Sequence, residues 1–197
     1  MAKQKVDRKT ETESYFVMTC EGIRPSTSVR EVSEWNGPPW MTGQFIDRPV
    51  PHPFVFRIDP HYPGELLPMY EGSILVMRDA LIRKLQEAGV DNLQLFPALV
   101  RDEDKKQEYA DFKAVNIVGL ISCANMEEST RMDPDDDESD MIDVDFDSLV
   151  IDESKTGGAL LFRLAEAVSA IIVHRSVRER VEAIRGMTFY ASGEWSG

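Results

Sequence analysis

Apolar and polar positions fall into a regular pattern from Ser73 onward, and one unit of that pattern occurs twice in the chain. SILVMRDALIRKLQEAGV (residues 73–90) and AIIVHRSVRERVEAIRGM (residues 170–187) superimpose without a gap, placing Arg78 on Arg175, Asp79 on Ser176 and Gly89 on Gly186. Each copy predicts a short apolar strand, a capping residue (Asp79 or Ser176), a helix of about ten residues and a glycine that ends it. Leu81, Leu85 and Ala88 in one copy, and Val177, Val181 and Ile184 in the other, stand at the spacing of one buried helical face. The unit is generic, so the likeness is an architectural one and does not establish duplication.

Elsewhere the pattern is that of strands and breaks. YFVMT (15–19), FVFRI (54–58), residues 93–100 with Pro97 inside, and residues 148–152, 160–164 and 187–190 read as strands. FKAVNIVGLISC (112–123) is the longest β-like run, and DEDKKQE between Asp102 and Tyr109 reads as an exposed hairpin tip. Between Glu34 and Pro53 the repeated prolines fix φ and remove backbone donors, which predicts extended loop rather than sheet interior. About seven to nine strands against two helices predict an α+β fold, one domain, with a mostly antiparallel sheet carrying packed helices. Along the chain this divides into a disordered leader (1–13), a Pro- and aromatic-rich half (14–72), a regular core (73–190) and a loose tail (191–197).

Charge adds a feature that the elements do not explain. The chain has 35 acidic and 22 basic residues, a net charge of -13 and a pI near 4.7. That field repels nucleic acid and anionic membranes and speeds encounter with cationic proteins. Residues 133–147 (DPDDDESDMIDVDFD) hold nine carboxylates in fifteen positions with no Lys or Arg. Such a run cannot be a core element, because each buried carboxylate would need its own partner. Its last third alternates Asp143, Asp145 and Asp147 with Ile142, Val144 and Phe146, an acidic segment with apolar teeth.

Composition bounds the rest. Hydrophobic residues make up 42% of the chain, which excludes general disorder, and no stretch approaches the roughly 20 apolar residues of a membrane span. MAKQKVDRKTETE starts basic but lacks the apolar stretch of a signal peptide, so the cytoplasm is the expected compartment. Cys20 and Cys123 are expected as reduced packing residues.

Motifs for chemistry are missing. Gly157-Gly158 lacks the lysine and the helix of a phosphate loop. His52, His61 and His174 show no ligand-pair spacing for a metal. A Cys123–His174 nucleophile pair is disfavoured because an apolar setting raises a thiol's pKa. Asp133, Asp135 and Asp137 alternate like a calcium loop, but Glu138 stands where glycine is needed and Val144 where the bidentate glutamate would be. The expectation is therefore no enzyme, no cofactor and no metal. The aromatic cluster Trp35, Trp40, Phe45 and Phe54 has two readings, a loop folded over the sheet as core or an interface anchor.

ILVMRDALIRKLQEAGVDNLQLFPALV (74–100), FKAVNIVGLISCANMEES (112–129), the strand-turn-LFRL block (149–164) and IIVHRSVRERVEAIRGMTF (171–189) resemble the eleventh immunity family of bacterial polymorphic toxin systems, a myxobacterial-type domain. AGVDNLQLFPA and AVNIVG are the most specific phrases, and the resemblance covers about four fifths of the chain. It implies a cognate inhibitor made beside a toxin, without a catalytic set. Toxins encoded beside this family often resemble nucleases, which are basic around their cleft and complement an acidic inhibitor. Partner contacts are then expected from Asp135, Asp136, Asp137, Glu138 and Asp140 at the tip of the acidic run and from Asp143, Asp145 and Asp147 along it, with Trp35 and Trp40 as the second candidate surface. The competing reading of the run is a solvated, disordered insert. For the whole chain the alternatives are a small-ligand-binding or enzymatic domain and an acidic scaffold subunit.

Overall fold

The computed structural model describes residues 13–37, 40–132 and 144–197. In chain order the strands and helices are β1 (Tyr15–Thr19), β2 (Val29–Glu31), β3 (Phe54–Ile58), β4 (Met69–Tyr70), β5 (Leu75–Arg78), α1 (Asp79–Glu87), β6 (Leu93–Asp102), β7 (Gln107–Ile117) and β8 (Leu120–Ile121). They continue with β9 (Thr130–Arg131), β10 (Phe146–Ser148), β11 (Leu161–Leu164), β12 (Ile171–His174), α2 (Arg175–Val181) and β13 (Thr188–Tyr190). Several are only two or three residues long, so the strands outnumber the expectation. Among the described residues the fold is sheet-dominated with two helices, compatible with α+β, and eight of the ten strand pairings are antiparallel.

Two sheets enclose the main core. One has six strands in the order β2-β3-β6-β7-β5-β4, the other five in the order β13-β1-β12-β11-β8. Strand alternation gives the five-stranded sheet two buried faces. Phe16, Met18, Leu161, Ile171 and Val173 point into the main core, while Tyr15, Val17, Phe162, Leu164 and Ile172 point into a second, smaller one. The two helices lie on the main-core side.

The strand–helix unit recurs as β5-α1 and β12-α2, but one residue out of the register read from the sequence. Arg78 matches His174 and Leu85 matches Val181, where the gapless superposition places Arg78 on Arg175. Leu81, Leu85, Val177 and Val181 are fully buried in the main core, and the two helices touch each other. Gly89 follows the C-cap of α1 with φ +94°, the left-handed backbone that ends a helix. Gly186 (φ +101°) lies four residues past Glu182, the C-cap of the seven-residue α2, and so turns the chain without ending the helix as expected. The capping residues are different from those expected. Arg78 and His174 occupy the N-cap positions, because each helix starts earlier than the apolar spacing suggests. Asp79 is already in the first turn and its carboxylate accepts from Lys113 Nζ at 2.6 Å. Ser176 is capped rather than capping, since its N–H donates to His174 Nδ1 at 3.2 Å.

Three other segments differ from expectation. FKAVNIVGLISC is not one strand. β7 ends at Ile117, Gly119 turns the chain at φ +125°, and β8 joins the other sheet. The chain end is not loose, because Trp195 is buried in the second core and Gly197 exchanges both backbone hydrogen bonds with Phe146 (2.8 and 3.0 Å). Glu13 belongs to the fold, its carbonyl accepting from Arg175 Nε at 2.7 Å and its carboxylate from Ser192 N at 3.0 Å. The rest of the expected leader lies outside the described residues.

Candidate functional site

Residues 122–159 contain 13 of the 35 acidic residues and 2 of the 22 basic ones, so this segment alone carries -11 of the net -13. The remainder of the chain is nearly neutral at -2. The fold gathers the described part of this segment into one lobe. Cys123, Ala124, Phe146 and Leu149 cover the second core on the face of the five-stranded sheet away from the helices, and Trp195 closes it. On the other side, residues 78–87 and 174–185 hold seven basic and four acidic residues. The described part of the lobe holds six acidic and two basic residues, so charge among the described residues is polarised across the sheet.

Hydrogen bonds fix the lobe's main chain. Asn125 O accepts from Glu128 N and Ser129 N (3.2 and 2.8 Å), closing a turn that leaves Glu127 and Glu128 exposed. Asn125 N donates to Val150 O at 2.8 Å, and Asp152 N donates to Cys123 O at 2.7 Å. β9 and β10 pair as an antiparallel ribbon, extended by Met132 N donating to Asp145 O at 3.0 Å. Asp152 accepts from Ser154 and pairs with Lys155, and these hydrogen bonds, Ser154's first, hold its carboxyl below the usual range.

The predicted site residues fall into three groups. Asp145 and Asp147 are exposed on the ribbon. Asp135, Asp136, Asp137, Glu138, Asp140 and Asp143 lie outside the described residues, as do Asp133 and Ile142. Trp40 is 2% exposed, so its ring is core, in edge-to-face contact with Trp35, Phe54 and Phe96 at centroid distances of 5.2–5.7 Å. Trp35 is half-buried against the same cluster. The core reading holds for these rings, and only Phe45 of the four aromatics stands clear of it.

The apolar teeth need correcting too. The alternation exists, with Phe146 fully buried and Val144 partly buried between the exposed Asp145 and Asp147. The described teeth bite into the protein's own second core, because Phe162, Leu164 and Trp195 offer them an apolar surface there. The exposed apolar side chains of this lobe are instead Met126 and Met132. Nothing in their spacing distinguished them from core methionines.

The thiols are packing residues, as expected from their settings. Burial, helped by the carboxylates of Glu166 and Asp152, pushes Cys123 up to about 12. Burial likewise pushes Cys20 to about 11. A thiol held so high is not a nucleophile at neutral pH. Among the described residues no group of three His, Cys, Asp or Glu is placed to hold a metal ion, and no helix is long and apolar enough to cross a membrane.

Comparison with known families gives one result that spans nearly the whole chain. The model of the Immunity protein family (Imm11) matches residues 7–194. A search of curated proteins finds no match.

Proposed function

The chain belongs to the Immunity protein family (Imm11), and from that premise we propose that it neutralises a cognate toxin, a basic nuclease, by direct contact through its acidic lobe. The observation that carries this reading is the concentration of -11 of the net -13 in residues 122–159, a segment whose described part lies on the side of the sheet opposite the helices. A nuclease must hold phosphates, so the rim of its cleft is rich in Lys and Arg, and a surface of opposite sign steers and registers the encounter. Inhibition needs no chemistry from the inhibitor, and the settings of the two cysteines supply none. The reading places the protein in the cytoplasm, where a nuclease would reach its substrate.

The test is co-expression with the toxin domain encoded in the adjoining reading frame, followed by purification of the pair. Rescue of growth together with a stoichiometric complex of unmodified toxin is the expected result. Rescue with a covalently altered or cleaved toxin would replace this reading with an enzymatic one. A toxin domain lacking nuclease activity would remove the nuclease identity.

A further inference from the structure

Phe45 is 66% exposed, the most exposed large hydrophobic side chain among the described residues. Its loop is nonetheless held at four points. Gly43 O accepts from Gly119 N at 2.9 Å, and Gln44 O accepts from Asn116 Nδ2 at 2.8 Å. Ile46 N donates to Gln94 Oε1 at 2.8 Å, and Ile46 O accepts from Gln94 Nε2 at 3.1 Å. Asn116 is 1% exposed, and its amide also donates to Gln94 Oε1 at 2.8 Å. Two amides on β6 and β7 are thus committed to the main chain on either side of one exposed ring. Polar groups are costly to bury without such bonds, so this arrangement stabilises a fixed loop. A ring presented this way loses little conformational freedom on binding.

Leu120, 38% exposed, stands beside this loop, since a Cβ built on Gly43 would lie 2.9 Å from Leu120 Cβ. Its cross-strand neighbour Arg163 borders a cavity of about 190 Å³ that Met41, Leu75 and Ile171 also line. The apolar edge runs on into the acidic lobe. From β8 the chain reaches Ser122, whose Oγ donates to Glu166 Oε1 at 2.5 Å, and Glu166 O accepts from Val144 N at 2.7 Å, next to Asp145.

We propose that Phe45 and Leu120 are the apolar anchor of the toxin interface, seated in an apolar pocket of the toxin rimmed by Lys or Arg, with the acidic lobe as its charged flank. This rests on the toxin-binding reading and adds where affinity resides. A standard interface buries about 800 Å² per partner, a disc of roughly 16 Å radius. The described part of the acidic segment, with six acidic and two basic residues, starts two residues beyond Leu120, so a partner centred on Phe45 borders that charge. Charge complementarity selects a basic occupant. A second copy of this chain would bring the same excess of carboxylates to the contact.

The test compares Phe45→Ser, Leu120→Ser and the Asp145→Asn/Asp147→Asn pair for binding to the catalytically inactivated toxin domain of the adjoining frame. Phe45→Ser should weaken binding at least about thirtyfold, through faster dissociation with an unchanged salt dependence. Leu120→Ser should act in the same direction, and Phe45→Leu should recover most of the loss. The Asp pair should instead slow association. Both side chains are exposed, so melting temperatures should match the parent's. If both Ser variants bind within about twofold of the parent while the Asp pair is impaired, the anchor lies elsewhere and toxin binding stands. If the parent ignores the toxin domain and forms a dimer that Phe45→Ser splits, the anchor serves a second copy, and both proposals fall.

Discussion

Leu85 and Val181 hold equivalent places in the two strand–helix units, each fully buried where the helices meet the main core. Leu85→Ala removes three carbons from a fully buried site on a helix that packs against β5, β7 and α2, so it cannot relax freely. We expect a loss of about 2–5 kcal/mol in chemical denaturation. A loss below about 1 kcal/mol would mean the site collapses around the smaller side chain. Asp59 offers a pH-dependent counterpart. Its carboxylate accepts from His61 N at 3.0 Å and from Arg30 Nε at 2.9 Å, and these contacts, His61's first, hold its pKa below the usual range. A carboxyl depressed in the folded state contributes stability that is fully present above its unfolded value, about 3.9. That stability is lost as pH falls through the lower folded value. The melting-temperature gap between the parent and Asp59→Asn should therefore be widest near neutrality and close in acid. A gap that does not change with pH would show that the ion pair is not its source.

At the scale of elements, the acidic ribbon is held from below by one ring. Phe146 is fully buried in the second core and is also bonded through its main chain to Gly197. Phe146→Ala should cost about 3–5 kcal/mol and raise amide exchange in residues 144–150, with no toxin present. Unchanged stability would return Phe146 to the role of a partner contact. Gly119, at φ +125°, turns the chain from one sheet into the other, and a Cβ there would meet nothing nearer than Asn92 Nδ2 at 3.8 Å. Gly119→Ala is thus a conformational cost without a clash, expected at about 1–3 kcal/mol by thermal or chemical melts. These two elements also show what a sequence can and cannot disclose. Helical spacing located Leu85 and Val181, because one face of each helix repeats its apolar residues. The spacing carried no register for the caps, so Asp79 and Ser176 took a role that belongs to Arg78 and His174. Alternation separated Phe146 from Asp145 and Asp147, but not which apolar surface Phe146 would meet. The run 112–123 has strand-like composition on both sides of Gly119, so composition could not reveal a change of sheet. The buried polar pair Gln94 and Asn116, which fixes the Phe45 loop, joins strands to a loop about 50 and 70 residues away in the chain, a relation no local pattern encodes.

The whole molecule is polarised. The helices and the six-stranded sheet lie on one side of the five-stranded sheet, and the described part of the segment that carries nearly all of the net charge covers the other. A basic toxin approaching such a field is turned toward the lobe before contact, which is a matter of association rate more than of residence time. Individually, exposed carboxylates contribute only about 0–1 kcal/mol, so the account depends on their number and on no single one. The most direct test is stopped-flow association with the inactivated toxin domain as a function of salt. The parent would be compared with a variant in which Asp135, Asp136, Asp137, Glu138 and Asp140 are replaced by Ser or Asn. As the Debye length shrinks from about 30 Å at 0.01 M to about 3 Å at 1 M salt, the parent's association rate should fall steeply. The variant should keep the parent's melting temperature, show a shallower salt dependence and bind at least about tenfold more weakly, a difference of about 1.4 kcal/mol. A variant that associates as fast as the parent at low salt and protects a toxin-expressing cell equally well would contradict recognition through the acidic lobe.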